Sequence, residues 1–139
     1  MIRVLVVEDS RFFDQSLEDI LEAEPELKVV GVAKDGLGAI TMAARLKPDV
    51  ITMGITRDMV MPRLNGLEAT RFVIDQNPGV GVIILSMDGD DEYVFEAIKA
   101  GARGYLLKGD SSKDLIEAIR AVHRGEAMLE PVIANKVLA

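Results

Sequence analysis

The sequence contains no cysteine and only one histidine, His123. The missing thiols exclude disulfides, thiolate zinc sites and cysteine catalysis, and a single imidazole excludes a multi-histidine metal site. No apolar run approaches the length of a membrane span. The first residues run from Met1 through Val7 directly into Glu8 and Asp9, without a signal-peptide layout. We therefore expect a cytoplasmic protein with no membrane association.

Basic residues are outnumbered: 16 Lys and Arg stand against 23 Asp and Glu, which gives a formal net charge of −7. A negatively charged domain is repelled by phosphate backbones, so we expect no direct nucleic-acid binding by this chain. The charge suits contacts with cations or with basic protein surfaces. With 139 residues, 49% of them hydrophobic, the chain is expected to form one soluble domain with a substantial core.

Short apolar runs alternate with segments in which apolar residues recur at helical spacing. The runs are rich in Val, Ile and Leu without polar alternation, which is typical of parallel strands buried on both faces. They are Val4–Val7, Val29–Val32, Val50–Met53, Val82–Leu85 and Tyr105–Leu107. This alternation predicts a doubly wound (βα)₅ fold with right-handed crossovers over residues 1–125. Residues 126–139 are expected to form a connector or an extra helix.

Polar side chains follow several of these runs. Glu8 and Asp9 follow the first run, Asp58 comes after the third, Ser86 ends the fourth and Lys108 ends the fifth. The carboxyl ends of parallel strands share one edge of the sheet, so these residues are expected to converge there. Clustered carboxylates need a cation, and an all-oxygen ligand set favours Mg²⁺ over zinc. A carboxylate can also act as a nucleophile towards a phosphoryl group, which a lysine and a hydroxyl would then contact.

Several of these residues lie in motifs by which the chain resembles a known family. From its beginning to about residue 125 it looks like a response-regulator receiver domain, most similar to the NarL/FixJ (LuxR-type) receivers. The matching motifs, specific in this order and spacing, are VLVVEDS (4–10), PDVITM (48–53), MPRLNGLEATR (61–71), VIILSM (82–87) and AGARGYLLKG (100–109). The resemblance implies a five-stranded parallel sheet with the flavodoxin-like strand order 2-1-3-4-5.

The resemblance also implies roles for individual residues. Asp9 would be a direct Mg²⁺ ligand, with Glu8 helping through water. Lys108 would pair with the phosphoryl group, and Ser86 would be the switch hydroxyl that moves towards it. Tyr105 matches the aromatic residue whose rotamer follows that movement.

The same resemblance implies partners and a mode of action. A sensor histidine kinase would donate the phosphoryl group, and the added charge would bias an output surface. The domain would then be a phosphoacceptor signalling module, with at most self-phosphorylation and self-dephosphorylation, and not an enzyme. Receivers of this type usually precede a helix-turn-helix DNA-binding domain, which we expect as a C-terminal output domain outside this chain. A phosphorylation-dependent homodimer is a further hypothesis, to which no particular residue points.

The third strand departs from the family pattern. The acceptor aspartate should directly follow Met53, where the chain has Gly54. Counted back from Met61 and Pro62, the acceptor position is Asp58, so the chain carries a four-residue insertion. In the first interpretation Asp58 is the acceptor, the insertion is absorbed as a bulge or a longer strand, and the backbone carbonyl of Val60 binds Mg²⁺.

In the second interpretation the strand keeps its register, Gly54 replaces the acceptor and Asp58 lies on an enlarged loop. Arg57 would be unfavourable inside a central strand, and Gly54 weakens a strand interior. An insertion at a strand end, however, costs little loop entropy. We favour Asp58 as the acceptor, because DMVMP keeps the family spacing.

The alternative function is a pseudo-receiver, a phosphorylation-independent interaction module with an altered acceptor region. A flavin carrier or an Asp-x-Asp phosphatase would share the doubly wound fold. Neither a phosphate-cradling glycine-rich loop nor an Asp-x-Asp motif follows the first strand, which argues against both.

Overall fold

Strands and helices alternate along the chain, as the sequence predicts. The computed structural model describes residues 1–55, 66–86, 91–129 and 135. Each predicted apolar run lies within a strand, usually one or two residues longer than the run itself. The strands are β1 (Ile2–Val7), β2 (Leu27–Ala33), β3 (Val50–Ile55), β4 (Gly81–Ser86), β5 (Gly104–Leu107) and β6 (Met128–Leu129).

The helices lie between the strands and begin at residues suited to the position. They are α1 (Arg11–Glu22), α2 (Gly36–Leu46), α3 (Gly66–Gln76), α4 (Asp91–Lys99) and α5 (Ser112–His123). Ser10 caps α1, Asp35 caps α2 and Ser111 caps α5, each accepting a hydrogen bond from a backbone N–H three residues later. Such caps satisfy N–H groups that have no partner inside the helix.

All strands pair in parallel in one sheet, with the order β2-β1-β3-β4-β5-β6. This confirms the doubly wound fold and the order 2-1-3-4-5. The sixth strand was not expected: Met128 and Leu129 pair with Gly104 and Tyr105 at the β5 edge, where the sequence suggested a connector or an extra helix. Among the described residues, no helix is long and apolar enough to cross a membrane.

The sheet divides the interior into two cores because its central strands are buried on both faces. Leu5, Val7 and Ile51 face one core together with residues of α2, α3 and α4. Val4 and Val6 face the other, with residues of α1 and α5. Every residue of β4 is buried. Because the strands are buried on both faces, they occur in the sequence as unbroken apolar runs.

Removing the cap of α5 offers a test of this fold. Oγ of Ser111 accepts a hydrogen bond from the N–H of Asp114 at 3.2 Å. We expect Ser111→Ala to lower the free energy of unfolding by about 0.5–2 kcal/mol, measured by urea denaturation. The control is Ser112→Ala at the first helical position, where a similar truncation removes no cap and the change should stay within about 0.5 kcal/mol. Equal losses in the two variants would contradict the capping role.

Candidate functional site at the carboxyl edge of the sheet

The fold brings together the polar residues that end neighbouring strands. Glu8 directly follows β1, Ser86 is the last residue of β4 and Lys108 directly follows β5. Gly54 lies inside β3, between β1 and β4. The predicted convergence at this edge is therefore observed for these residues. Two other predicted site residues, Asp58 and Val60, lie outside the described part of the chain.

Among the site acids that the structure describes, Glu8 is the most deeply buried. Its side chain is fully buried, and its Oε1 lies 2.8 Å from Nζ of Lys108. Oε2 accepts a hydrogen bond from the N–H of Ser10 at 2.9 Å. Burial raises the pKa of the Glu8 carboxyl above its usual value, and the bonds from Lys108 and Ser10 offset part of this rise. The Glu8 carboxylate is thus fixed by Lys108 and Ser10 and is not exposed to solvent.

Lys108 is held on two sides. Its side chain is only 5% exposed, and its ammonium lies 4.7 Å from the centre of the Phe13 ring, a cation–π arrangement. The backbone positions it as well: the N–H of Lys108 donates to the carbonyl of Ser86 at 2.8 Å. The turn behind it is closed by Asp110, whose carboxylate accepts from the N–H of Leu107 at 2.9 Å. Lys108 is therefore a fixed cation inside the site.

Asp9 lies next to Glu8 at the start of the β1–α1 loop. Its Oδ1 is buried and has no hydrogen-bond partner among the described residues. A buried carboxylate oxygen without a partner is costly, and a bound cation would satisfy it. The described residues contain no cluster of three or more acids or histidines able to hold a metal. Glu8 and Asp9 nevertheless fit Mg²⁺, which usually takes one or two protein carboxylates and keeps several waters.

Gly54 continues β3 in regular register. Met53 pairs with Ile84, Gly54 with Leu85, and Ile55 with Ser86, without a bulge. On the other side of β3, Met53 pairs with Val7, so Gly54 lies beside Glu8. The strand is thus longer than the apolar run predicted, and glycine occupies the position directly after Met53.

Ser86 and Tyr105 lie on the neighbouring strands β4 and β5. Both are fully buried. Ser86 pairs in register with Leu107, and Tyr105 pairs with Ile84. The Tyr105 ring makes an edge-to-face contact with Tyr93 of α4, with centroids 6.5 Å apart. The hydroxyl and the aromatic ring that the resemblance singled out are therefore part of the packed interior near the site.

Sequence reasoning missed two features of this edge. In the sequence Phe13 fits the apolar helical spacing that continues with Leu17 and Leu21, and its ring also faces Lys108. Asp14 was not singled out, yet it is buried in the first turn of α1 and forms an ion pair with Lys34, which follows β2. The available signal for Asp14 was its spacing, three residues before Leu17 and seven before Leu21 on the buried face of α1.

The sequence is similar to proteins of one known family. The family model described as the response regulator receiver domain matches residues 4–120. The chain is 40% identical over 139 residues to the transcriptional regulatory protein LiaR of Bacillus subtilis, covering 100% of this chain and 64% of LiaR. It is 38% identical over 137 residues to DegU of Brevibacillus brevis, covering 99% of this chain and 56% of DegU. The chain thus spans less than two thirds of the length of these relatives.

A solved structure gives the same result for the fold. A two-component response regulator of the LuxR family from Aurantimonas superposes with a TM-score of 0.90 at 26% identity, covering 99% of this chain and 96% of that one. The resemblance stated from the motifs, including its LuxR-type character, is therefore confirmed.

Proposed function

Because this chain belongs to the response regulator receiver family, we propose that it is a phosphorylation switch in which Asp58 accepts a phosphoryl group beside a bound Mg²⁺. The observation that carries this proposal is the buried Lys108 ammonium fixed beside Glu8, together with the buried Oδ1 of the adjoining residue Asp9, which has no hydrogen-bond partner among the described residues. A fixed cation and an unsatisfied acid at one sheet edge suit an incoming phosphoryl group and a divalent ion.

In the proposed reaction, a carboxylate oxygen of Asp58 attacks the phosphorus of a phosphohistidine or a small acyl phosphate. A new P–O bond forms, the bond to the donor's nitrogen or oxygen breaks, and the leaving group departs with the bonding electrons. Lys108 neutralises charge on the transferred phosphoryl oxygens, and Ser86 donates a hydrogen bond to one of them. Tyr105 then follows the movement of Ser86.

Mg²⁺ would be held by Asp9 and the Val60 carbonyl, with Glu8 acting through water and Asp58 as a further ligand. When bound, Mg²⁺ neutralises charge on the acceptor and on the phosphoryl oxygens. The part played by the chain's own residues is to bring the acids, the lysine and the hydroxyl to one edge and to hold Lys108 out of bulk water.

The proposed partners follow from the relatives. LiaR and DegU are transcriptional regulatory proteins longer than this chain, so we propose a sensor histidine kinase as donor and a C-terminal DNA-binding domain as output. The net charge of −7 leaves DNA contact to that second domain. We place this signalling in the cytoplasm, with no enzymatic turnover of an external substrate; a phosphorylation-dependent homodimer stays a hypothesis.

A second candidate, the pseudo-receiver, is favoured by one observation. Glycine occupies the register position after Met53, and the carboxylate of Glu8 already engages Lys108. An interaction module that never accepts a phosphoryl group would need no acceptor at that position. The two candidates differ in a single measurable property, the uptake of a phosphoryl group.

The test is to incubate the protein with acetyl phosphate and Mg²⁺ and to record the intact mass. We expect the mass to rise by one phosphoryl group in wild type and not in Asp58→Asn. Asp75→Asn is the control, because Asp75 is exposed near the far end of α3, and it should be labelled like wild type. A wild-type protein that gains no phosphoryl mass would support the pseudo-receiver, and labelling that survives Asp58→Asn would place the acceptor elsewhere.

A further inference from the structure

The missing side chain at Gly54 makes room for Glu8. A Cβ atom placed on Gly54 would overlap Oε1 of Glu8, and would lie 2.9 Å from its Cδ and 3.0 Å from the carbonyl oxygen of Val7. Oε1 is the same oxygen that contacts Nζ of Lys108 at 2.8 Å. Any side chain at residue 54 would therefore have to shift the carboxylate oxygen of Glu8 that contacts Lys108.

The resulting ion pair is enclosed. Glu8 is fully buried, Lys108 is 5% exposed at the side chain, and the Phe13 ring covers the ammonium. A buried charge pair of this kind persists only while both partners stay in place, because either charge alone would be strongly destabilising. Lys108 is thus already occupied in the resting protein.

We propose that Gly54 is a positioning residue that admits Glu8 to the space beside Lys108, so that Glu8 acts as an internal latch on the lysine needed by the phosphoryl group. The proposal rests on the function proposed above. A phosphoryl group on Asp58 would have to take the Lys108 ammonium from Glu8, so the latch opposes phosphorylation and sets how much donor is needed.

A spectroscopic measurement tests the positioning role directly. The ¹⁵Nζ signal of a lysine ammonium is visible by NMR in slightly acidic solution when exchange with water is slow, as expected for a buried, paired group. We expect such a signal for Lys108, assigned by its loss in Lys108→Arg. It should disappear or shift strongly in Gly54→Ala, because the added methyl group displaces Glu8.

Gly81→Ala is the matched control. A Cβ atom on Gly81 would overlap Cγ1 of Val122, which is a comparable clash at the start of β4, away from the site. The Lys108 signal should be unchanged there. Glu8→Gln supplies a second route if Gly54→Ala does not fold, because it keeps the shape and removes the charge; the slow-exchanging signal should be lost. A signal that persists unchanged in Glu8→Gln, or in a folded Gly54→Ala, would overturn the proposal.

The latch is tested separately by the phosphorylated fraction at limiting acetyl phosphate and saturating Mg²⁺. We expect this fraction to rise about threefold or more in Gly54→Ala relative to Gly81→Ala. The Glu8 carboxylate and the phosphoryl group compete for the Lys108 ammonium, and the loss of one charged hydrogen bond is enough to shift the phosphorylation equilibrium by this factor. An equal or lower fraction would overturn the latch. If wild type takes up no phosphoryl group at all, the proposed function fails, while the NMR signal still reports whether Gly54 positions Glu8.

Discussion

Replacing Lys108 by methionine will lower the free energy of unfolding by about 3–5 kcal/mol, because it leaves the Glu8 carboxylate buried without its counter-ion. Methionine keeps the length of the side chain and its contact with Phe13, so the loss reports the charge more than the packing. The partners are 5% and 0% exposed, which leaves little solvent to screen the remaining charge. Urea denaturation measures the effect.

A double-mutant cycle separates the pair from the individual residues. Glu8→Gln combined with Lys108→Met removes both charges and keeps both shapes, so we expect it to recover at least about 2 kcal/mol of the single-mutant losses. Arg124→Met is the surface control, because Arg124 and its partner Glu126 are 55% and 57% exposed at their side chains; its cost should be far smaller than that of Lys108→Met. Additive losses in the cycle would contradict a buried ion pair.

Replacing Asp9 by asparagine will remove most of the stabilisation that Mg²⁺ gives to the folded protein. A ligand that binds only the folded state stabilises it by about 2.7 kcal/mol at a concentration one hundred times its Kd. Oδ1 of Asp9, which is buried and has no partner in the part of the chain that the structure describes, is the group expected to gain most from the ion. We therefore expect the shift in urea midpoint on adding Mg²⁺ to be large in wild type and nearly absent in Asp9→Asn.

The same variant should be at least as stable as wild type without Mg²⁺, because it removes a negative charge beside Glu8, whose carboxyl is already disfavoured by burial. Asp75→Asn changes the same charge on the exposed part of α3 and should keep the full Mg²⁺ shift. If Asp9→Asn keeps the wild-type shift, Asp9 is not a ligand. If Asp9→Asn is destabilised without Mg²⁺, the carboxylate has a structural partner instead.

Most of the fold could be predicted from the sequence. The apolar runs mark strands buried on both faces, and the alternation with helical periodicity leaves few topologies apart from a doubly wound sheet. The extent of β3 could not be predicted, because Gly54 ends the apolar run although the strand pairs on through Ile55. The strand Met128–Leu129 was missed since two residues carry no periodicity.

The site could be predicted as a set of residues and not as a set of contacts. The rule that strand ends share an edge placed Glu8, Ser86 and Lys108 together. The pairing of Glu8 with Lys108 depends on empty space above Gly54, on a different strand from either partner. The spacing of residues along the chain does not indicate how much room one strand leaves for a side chain that belongs to another strand. The contact of Phe13 with Lys108 was missed for a similar reason, because an aromatic residue in an apolar helix pattern indicates core packing first.

We propose above that Lys108 serves a phosphoryl group carried by Asp58 at this edge of the sheet. A crystal structure of the protein with Mg²⁺ and beryllofluoride, a mimic of the phosphoryl group, tests it most directly. We expect beryllofluoride on the Asp58 carboxylate, with Nζ of Lys108 turned from Glu8 to a fluorine atom. A structure in which Asp58 carries no mimic and Lys108 stays on Glu8 would contradict it.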